Sequence, residues 1–169
     1  ERLLFEVSGK DSAKVSTWMK ELSQNGVYTV DPQTLKSLQR QFVGGFADET
    51  GISKTIIDVY DRTDNVIDTH TAVGFNIYNR YHQRSKDETK TVFVSTASPF
   101  KFAPAVMDAI RGAGYSNGRS NEVIVNELST ESGLPVPATI ADAAKLEIRH
   151  TMCIDKEDMQ KTVEEILVK

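Results

Sequence analysis

Hydroxyls, an imidazole and an ammonium gather in two short stretches, DTHTAVGF at residues 68–75 and KTVFVSTASPFKF at residues 90–102. In the second, Val92, Phe93 and Val94 form an apolar run, and Ser95, Thr96, Ala97, Ser98 and Pro99 then break it. Helical spacing opens near Lys101. The pattern predicts a buried strand, a hydroxyl-rich turn and a helix start. In α/β proteins, ligands sit outside the carboxyl ends of parallel strands, so Ser95, Thr96, Ser98 and Lys101 would converge where a small ligand binds. Lys101 stands at a helix N-terminus, where the peptide dipoles favour a phosphate or carboxylate. The plainer reading is a turn whose hydroxyls cap the next helix, with the Lys101 stem over Phe100 and Phe102 and its head in water.

His70 falls in the first turn of a helix that Asp68 or Thr69 can cap and that carries Val73, Ile77 and Tyr81 on one face. Its ring can face a ligand or remain a surface histidine. Gly74, in the middle of that helix, costs about 1 kcal/mol relative to alanine. Close backbone packing or a flat ligand would offset that cost. There is no GxSxG, GxGxxG or P-loop, and Gly44-Gly45, Gly112 and Gly114 read as helix stops. One cysteine and three histidines show no metal-ligand spacing. Cys153, between Met152 and Ile154, reads as a buried inert thiol.

These groups must be positioned by a mainly helical chain. Leu3, Leu4 and Val7 predict a short helix, and Val15, Trp18, Met19 and Leu22 a second with one buried face. Asp31-Pro32 opens a third, burying Leu35, Leu38 and Phe42, and Ile52, Ile56, Ile57 and Tyr60 mark a fourth. Beyond the two stretches, helices are expected with Phe102, Val106, Ala109 and Ile110 on one stripe, over 120–128, and near 139–145. A strand is expected within 148–154, then a terminal helix burying Met159, Val163, Ile166 and Leu167. The chain divides into a helical part (1–62), a segment flanking the site (63–114) and C-terminal helices (115–169), together one unit. The expected class is α/β, helix-rich, with an incomplete sheet.

With 169 residues, 39% hydrophobic and 26% charged, the chain suits one soluble domain. The net charge of −4 and the absence of a basic stripe argue against nucleic acid. No apolar stretch reaches the roughly 18 residues of a membrane span, and the start does not read as a secretory signal. The expectation is a cytoplasmic protein. Leu3, Leu4 and Phe5 follow the first two residues directly, which leads us to expect a portion of something longer. Such a portion would leave apolar surface uncovered and favour self-association.

The two stretches together resemble the C-terminal part of the threonine synthase family, pyridoxal-phosphate enzymes of the tryptophan-synthase-like fold, fold type II. In the long bacterial and fungal form, DPHTAVG is followed by STAHPAKF; here they stand as DTHTAVG and STASPFKF, in the same order. The Glu1-Arg2 start, the helices up to Tyr60, the Pro-rich link near Leu134 and the last helix also fit. The family's activity is that of a carbon–oxygen lyase acting on phosphates, converting O-phosphohomoserine and water to threonine and phosphate. The resemblance implies that the Schiff-base lysine and the phosphate loop lie upstream, so the partner of this chain would be the upstream part of the same enzyme. These residues alone would then be inactive, with no catalytic residue among them. It further implies that Thr96 partners the cofactor's pyridine nitrogen, with His70, Thr71 and Ala72 near the ring. Ser95, Ser98 and Lys101 would face substrate. Thr69, Ser98 and Phe100 replace the family's proline, histidine and alanine. The alternatives are a non-catalytic small-anion-binding or interaction module, and another fold type II lyase such as a serine or threonine dehydratase.

Overall fold

The structure, a computed structural model, describes residues 1–143 and 146–168. Nine α-helices are present among them: α1 (Arg2–Val7), α2 (Ser12–Asn25), α3 (Pro32–Gln39), α4 (Glu49–Thr63), α5 (Thr69–Ser85), α6 (Ala103–Arg111), α7 (Asn121–Ser132), α8 (Ala138–Ala143) and α9 (Met159–Leu167). Short 3-10 turns at Pro99–Phe102 and Lys156–Asp158 precede α6 and α9. Residue 145, at the end of the expected 139–145 helix, lies outside the described residues.

Capping chemistry sets the helix starts. The side chains of Asp11, Asp31, Asp48, Asp68 and Ser120 each accept an amide hydrogen from the first turn of α2, α3, α4, α5 and α7 respectively. Each cap satisfies a donor that the helix cannot satisfy itself. Gly26 and Gly133 close α2 and α7 in the left-handed conformation, which glycine adopts without steric cost.

The core lies where α4, α5, α6 and α7 meet. Ile56, Ala72, Phe100, Val106, Met107, Ile124 and Leu128 are buried together there. An ionic clamp joins three of the four helices. Glu131 on α7 accepts from the Tyr60 hydroxyl on α4 at 2.7 Å and pairs with Arg111 at the end of α6. That carboxylate is the main reason the Tyr60 hydroxyl is held above its ordinary pKa. A smaller cluster forms where α1 packs on α2 and α3, with Leu4, Trp18 and Thr34 buried.

Several expectations require correction. Among the described residues there is no β-strand, so the incomplete sheet of an α/β fold is not seen. Residues 92–94 form no strand, and Phe93 rests against Phe75 and Tyr78 of α5. Val92 and Val94 are 85% and 77% exposed, whereas Phe93 is half-buried. An extended chain resting on one surface turns alternate side chains away from it, and a run without polar residues conceals that alternation. Residues 148–154 are likewise exposed, and so is the Cys153 thiol expected to be buried. On α9, Met159, Val163, Ile166 and Leu167 are exposed, because the helix packs chiefly on the short turn before it and adds no residue to the core. Leu22, Leu35 and Phe42 are also more than 40% exposed, since α2 and α3 bury only a narrow stripe around Trp18 and Thr34. Finally, a Cβ added at Gly74 would meet nothing within 4 Å, so no close backbone packing explains that glycine.

Candidate functional site

Asp68 is the centre of the arrangement. It caps α5, accepting from the amides of His70 at 2.9 Å and Thr71 at 3.3 Å, and its side chain has no exposed surface. The Thr71 hydroxyl donates to its second oxygen, and the Ser95 hydroxyl lies 3.4 Å from the same atom. Thr71 Oγ1 and Ser95 Oγ are themselves hydrogen-bonded at 3.1 Å. Burial pushes the carboxyl pKa up, but the Thr71 hydroxyl and the His70 and Thr71 amides outweigh it, holding the pKa below the usual carboxylate value. The group is therefore a buried anion surrounded by donors.

The two stretches singled out in the sequence thus meet, tied by three polar side chains. Beside the tie is a cleft of about 480 Å³ walled by Val59, Ile67, Phe75 and Phe93, with Thr71 and Ser95 also lining it. The Phe93 ring stacks on Phe75, which holds the extended segment to α5. A second cleft, of about 490 Å³ and lined by Phe5, Val15 and Met19, carries none of the expected site residues.

The remaining candidates lie at the surface. His70 is 65% exposed and its ring tilts against Phe102, centroids 4.8 Å apart. Lys101 is exposed, its Nζ 5.6 Å from the Phe102 centroid. Thr96 is exposed, and its hydroxyl has no hydrogen-bond partner among the described residues. Ser98 caps the turn at Pro99–Phe102, accepting from the Phe100 amide at 3.3 Å. Ala72 is fully buried in the core, so its side chain packs and does not face the cleft. Ser95, expected to touch substrate, has its single hydroxyl proton within reach of three acceptors: Thr71 Oγ1, Asp68 Oδ2 and the Ala97 carbonyl, the last 3.3 Å away.

From sequence alone, Asp68 reads only as a helix cap. The threonine three residues on was a local sign of something more, because a carboxylate capping a helix can also take a hydroxyl at that spacing. Nothing local marked Ser95, 27 residues away, or the Phe75–Phe93 stack. Among the described residues, no cluster of three or more His, Cys, Asp or Glu could hold a metal ion. No helix there is long and apolar enough to cross a membrane.

The chain matches the family described as "Threonine synthase, C-terminal" over residues 71–166, and it belongs to that family. Threonine synthase of Saccharomyces cerevisiae is 30% identical over 140 residues, covering 79% of this chain and 27% of the yeast protein. The Schizosaccharomyces pombe threonine synthase is 33% identical over 112 residues, covering 66% of this chain and 21% of that protein. The chain therefore spans about a quarter of the length of these relatives. A crystal structure of PLP-bound threonine synthase from Brucella melitensis has a similar fold, with a TM-score of 0.56 and 23% identity, covering 78% of this chain and 31% of that one.

Proposed function

We propose that the protein carrying this chain converts O-phosphohomoserine and water to threonine and phosphate, with pyridoxal phosphate as cofactor. The observation that carries the reading is the joining of the two family stretches at Thr71 and Ser95, 3.1 Å apart. It leaves Thr96, His70 and Lys101 at the surface of one turn and one helix start. The donor set fits a flat anionic ring: unpartnered and neutral at Thr96, cationic at Lys101, aromatic at His70 and Phe102. When bound, the cofactor supplies an electron sink for the substrate carbons.

Within this reading the Thr96 hydroxyl donates to the pyridine nitrogen. A neutral hydroxyl, unlike a carboxylate, does not hold a proton there, which moderates the sink. His70 packs beside the ring, and Thr71 and Ser95 set the turn. Lys101 and Ser98 face the substrate's anionic end. Ala72 contributes by packing the first turn of α5 into the core. These residues alone should be inactive, because none of their segments resembles the family's Schiff-base lysine or its phosphate loop. A cytoplasmic setting fits a single free cysteine.

The test is made on the complete gene product. Incubation with pyridoxal phosphate and O-phosphohomoserine should release threonine and phosphate in equal amounts. Turnover of serine or threonine to a keto acid instead would establish a dehydratase. A protein that neither binds the cofactor nor consumes either substrate would overturn the reading in favour of a binding module.

A further inference from the structure

We propose that Asp68 is a positioning residue: its buried carboxylate ties the turn that carries Thr96 to the first turn of α5, setting where the Thr96 hydroxyl points. The ligand half of this inference rests on the cofactor reading above; the tie itself does not.

The carboxylate is more heavily engaged than helix capping requires. Two amides and the hydroxyl of a threonine three residues on make the cap, as at Asp31 with Thr34, yet Asp68 also lies within reach of the Ser95 hydroxyl at 3.4 Å. It has no exposed side-chain surface, and a buried carboxylate is retained only when donors surround it. Ser95 is the distant donor.

The turn needs such an anchor. Among the described residues, no backbone–backbone hydrogen bond engages residues 91–97. The Phe93 ring and the Ser95 hydroxyl are the attachments that hold this stretch to α5. Thr96 follows Ser95 directly and makes no hydrogen bond of its own among the described residues. Its orientation is therefore inherited from Ser95, and Ser95 takes its place from Thr71 and Asp68. The ionised state matters, since an acceptor-only group is what two amides, the Thr71 hydroxyl and the shared Ser95 proton require.

The test uses Asp68→Asn, Ser95→Ala and Ser95→Thr in the complete gene product. Asparagine still caps helices but replaces one acceptor oxygen by a donor, whereas Ser95→Thr keeps the hydroxyl that Ser95→Ala removes. Backbone ¹⁵N relaxation reports the turn directly. Order parameters at residues 95–97 should be near the rigid value of about 0.85 in the wild type and Ser95→Thr, and fall towards about 0.6 in the other two. Pyridoxal phosphate affinity should fall about tenfold in those two, as expected for loss of one hydrogen bond to a charged group, with a shifted cofactor absorption band. Unchanged order parameters would overturn the tie. A loosened turn with unchanged affinity and absorption would overturn the claim that it positions Thr96. A wild-type protein that binds no cofactor would sink the cofactor reading and this ligand half together, while relaxation still decides the tie. Should Asp68→Asn fail to fold, the Ser95 pair decides in the same way.

Discussion

The Phe93 ring lies flat on the Phe75 ring, centroids 3.6 Å apart and planes 8° from parallel, while Tyr78 meets Phe93 nearly edge-on at 5.2 Å. This aromatic contact, not a β-ladder, fastens the extended segment to α5. Phe93→Ala should therefore lower stability by about 1–3 kcal/mol, below the range for a fully buried phenylalanine because Phe93 is half-buried. Val92→Ala, at an exposed position, should change it by less than about 0.5 kcal/mol. Urea unfolding of both variants measures the contrast; equal losses would show that Val92 is also buried.

Gly74 is exposed within α5, and a Cβ there meets open space. Gly74→Ala should raise stability by about 1 kcal/mol, the helix-propensity difference. A rise of the unfolding midpoint checks it. A stabilised variant with weakened cofactor binding would identify the glycine as clearance for a ligand.

Asp31 gives a pH dependence. The Thr34 amide and hydroxyl chiefly, then Lys14 at 3.2 Å, hold its pKa at about 2 against an ordinary 3.8, with burial opposing. A carboxyl whose pKa is depressed by folding contributes stability that is present above the unfolded value and lost as the pH falls through the folded one. Stability should therefore decline as the pH drops from 3.8 towards 2, and this component should be absent in Asp31→Asn. Parallel acid titrations of unfolding midpoints test it; identical slopes would refute the assignment.

In the complete gene product, Thr96→Val keeps shape and removes the hydroxyl. A loss of about 1–3 kcal/mol, the cost of an unmet partner in a buried site, should appear as weaker cofactor retention or lower turnover. Wild-type values for both would separate Thr96 from the pyridine nitrogen.

Met159, Val163 and Ile166 on α9 are each about half exposed, and Ile148 and Met152 more so. The 169-residue chain in isolation should therefore self-associate, since soluble monomers seldom leave such surface open. Light scattering that shows a clean monomer at high concentration would refute this.

The sequence by itself determined that helices dominate and where several of them start. An aspartate before an apolar periodicity is a local signal, and Asp11, Asp31 and Asp68 cap α2, α3 and α5 by contacts within three residues. It also determined that residues 68–75 and 90–102 belong together, through their family resemblance. Tertiary structure alone decided which apolar residues are covered. The runs at 92–94 and 148–154 and the face of α9 have the composition of buried elements, but burial requires a partner surface, and composition does not say whether one is present. The same holds for Asp68. Its capping role is local and legible, whereas its grip on Ser95 exists only because the extended segment returns along α5, stacks Phe93 on Phe75 and delivers a hydroxyl to a carboxylate 27 residues earlier.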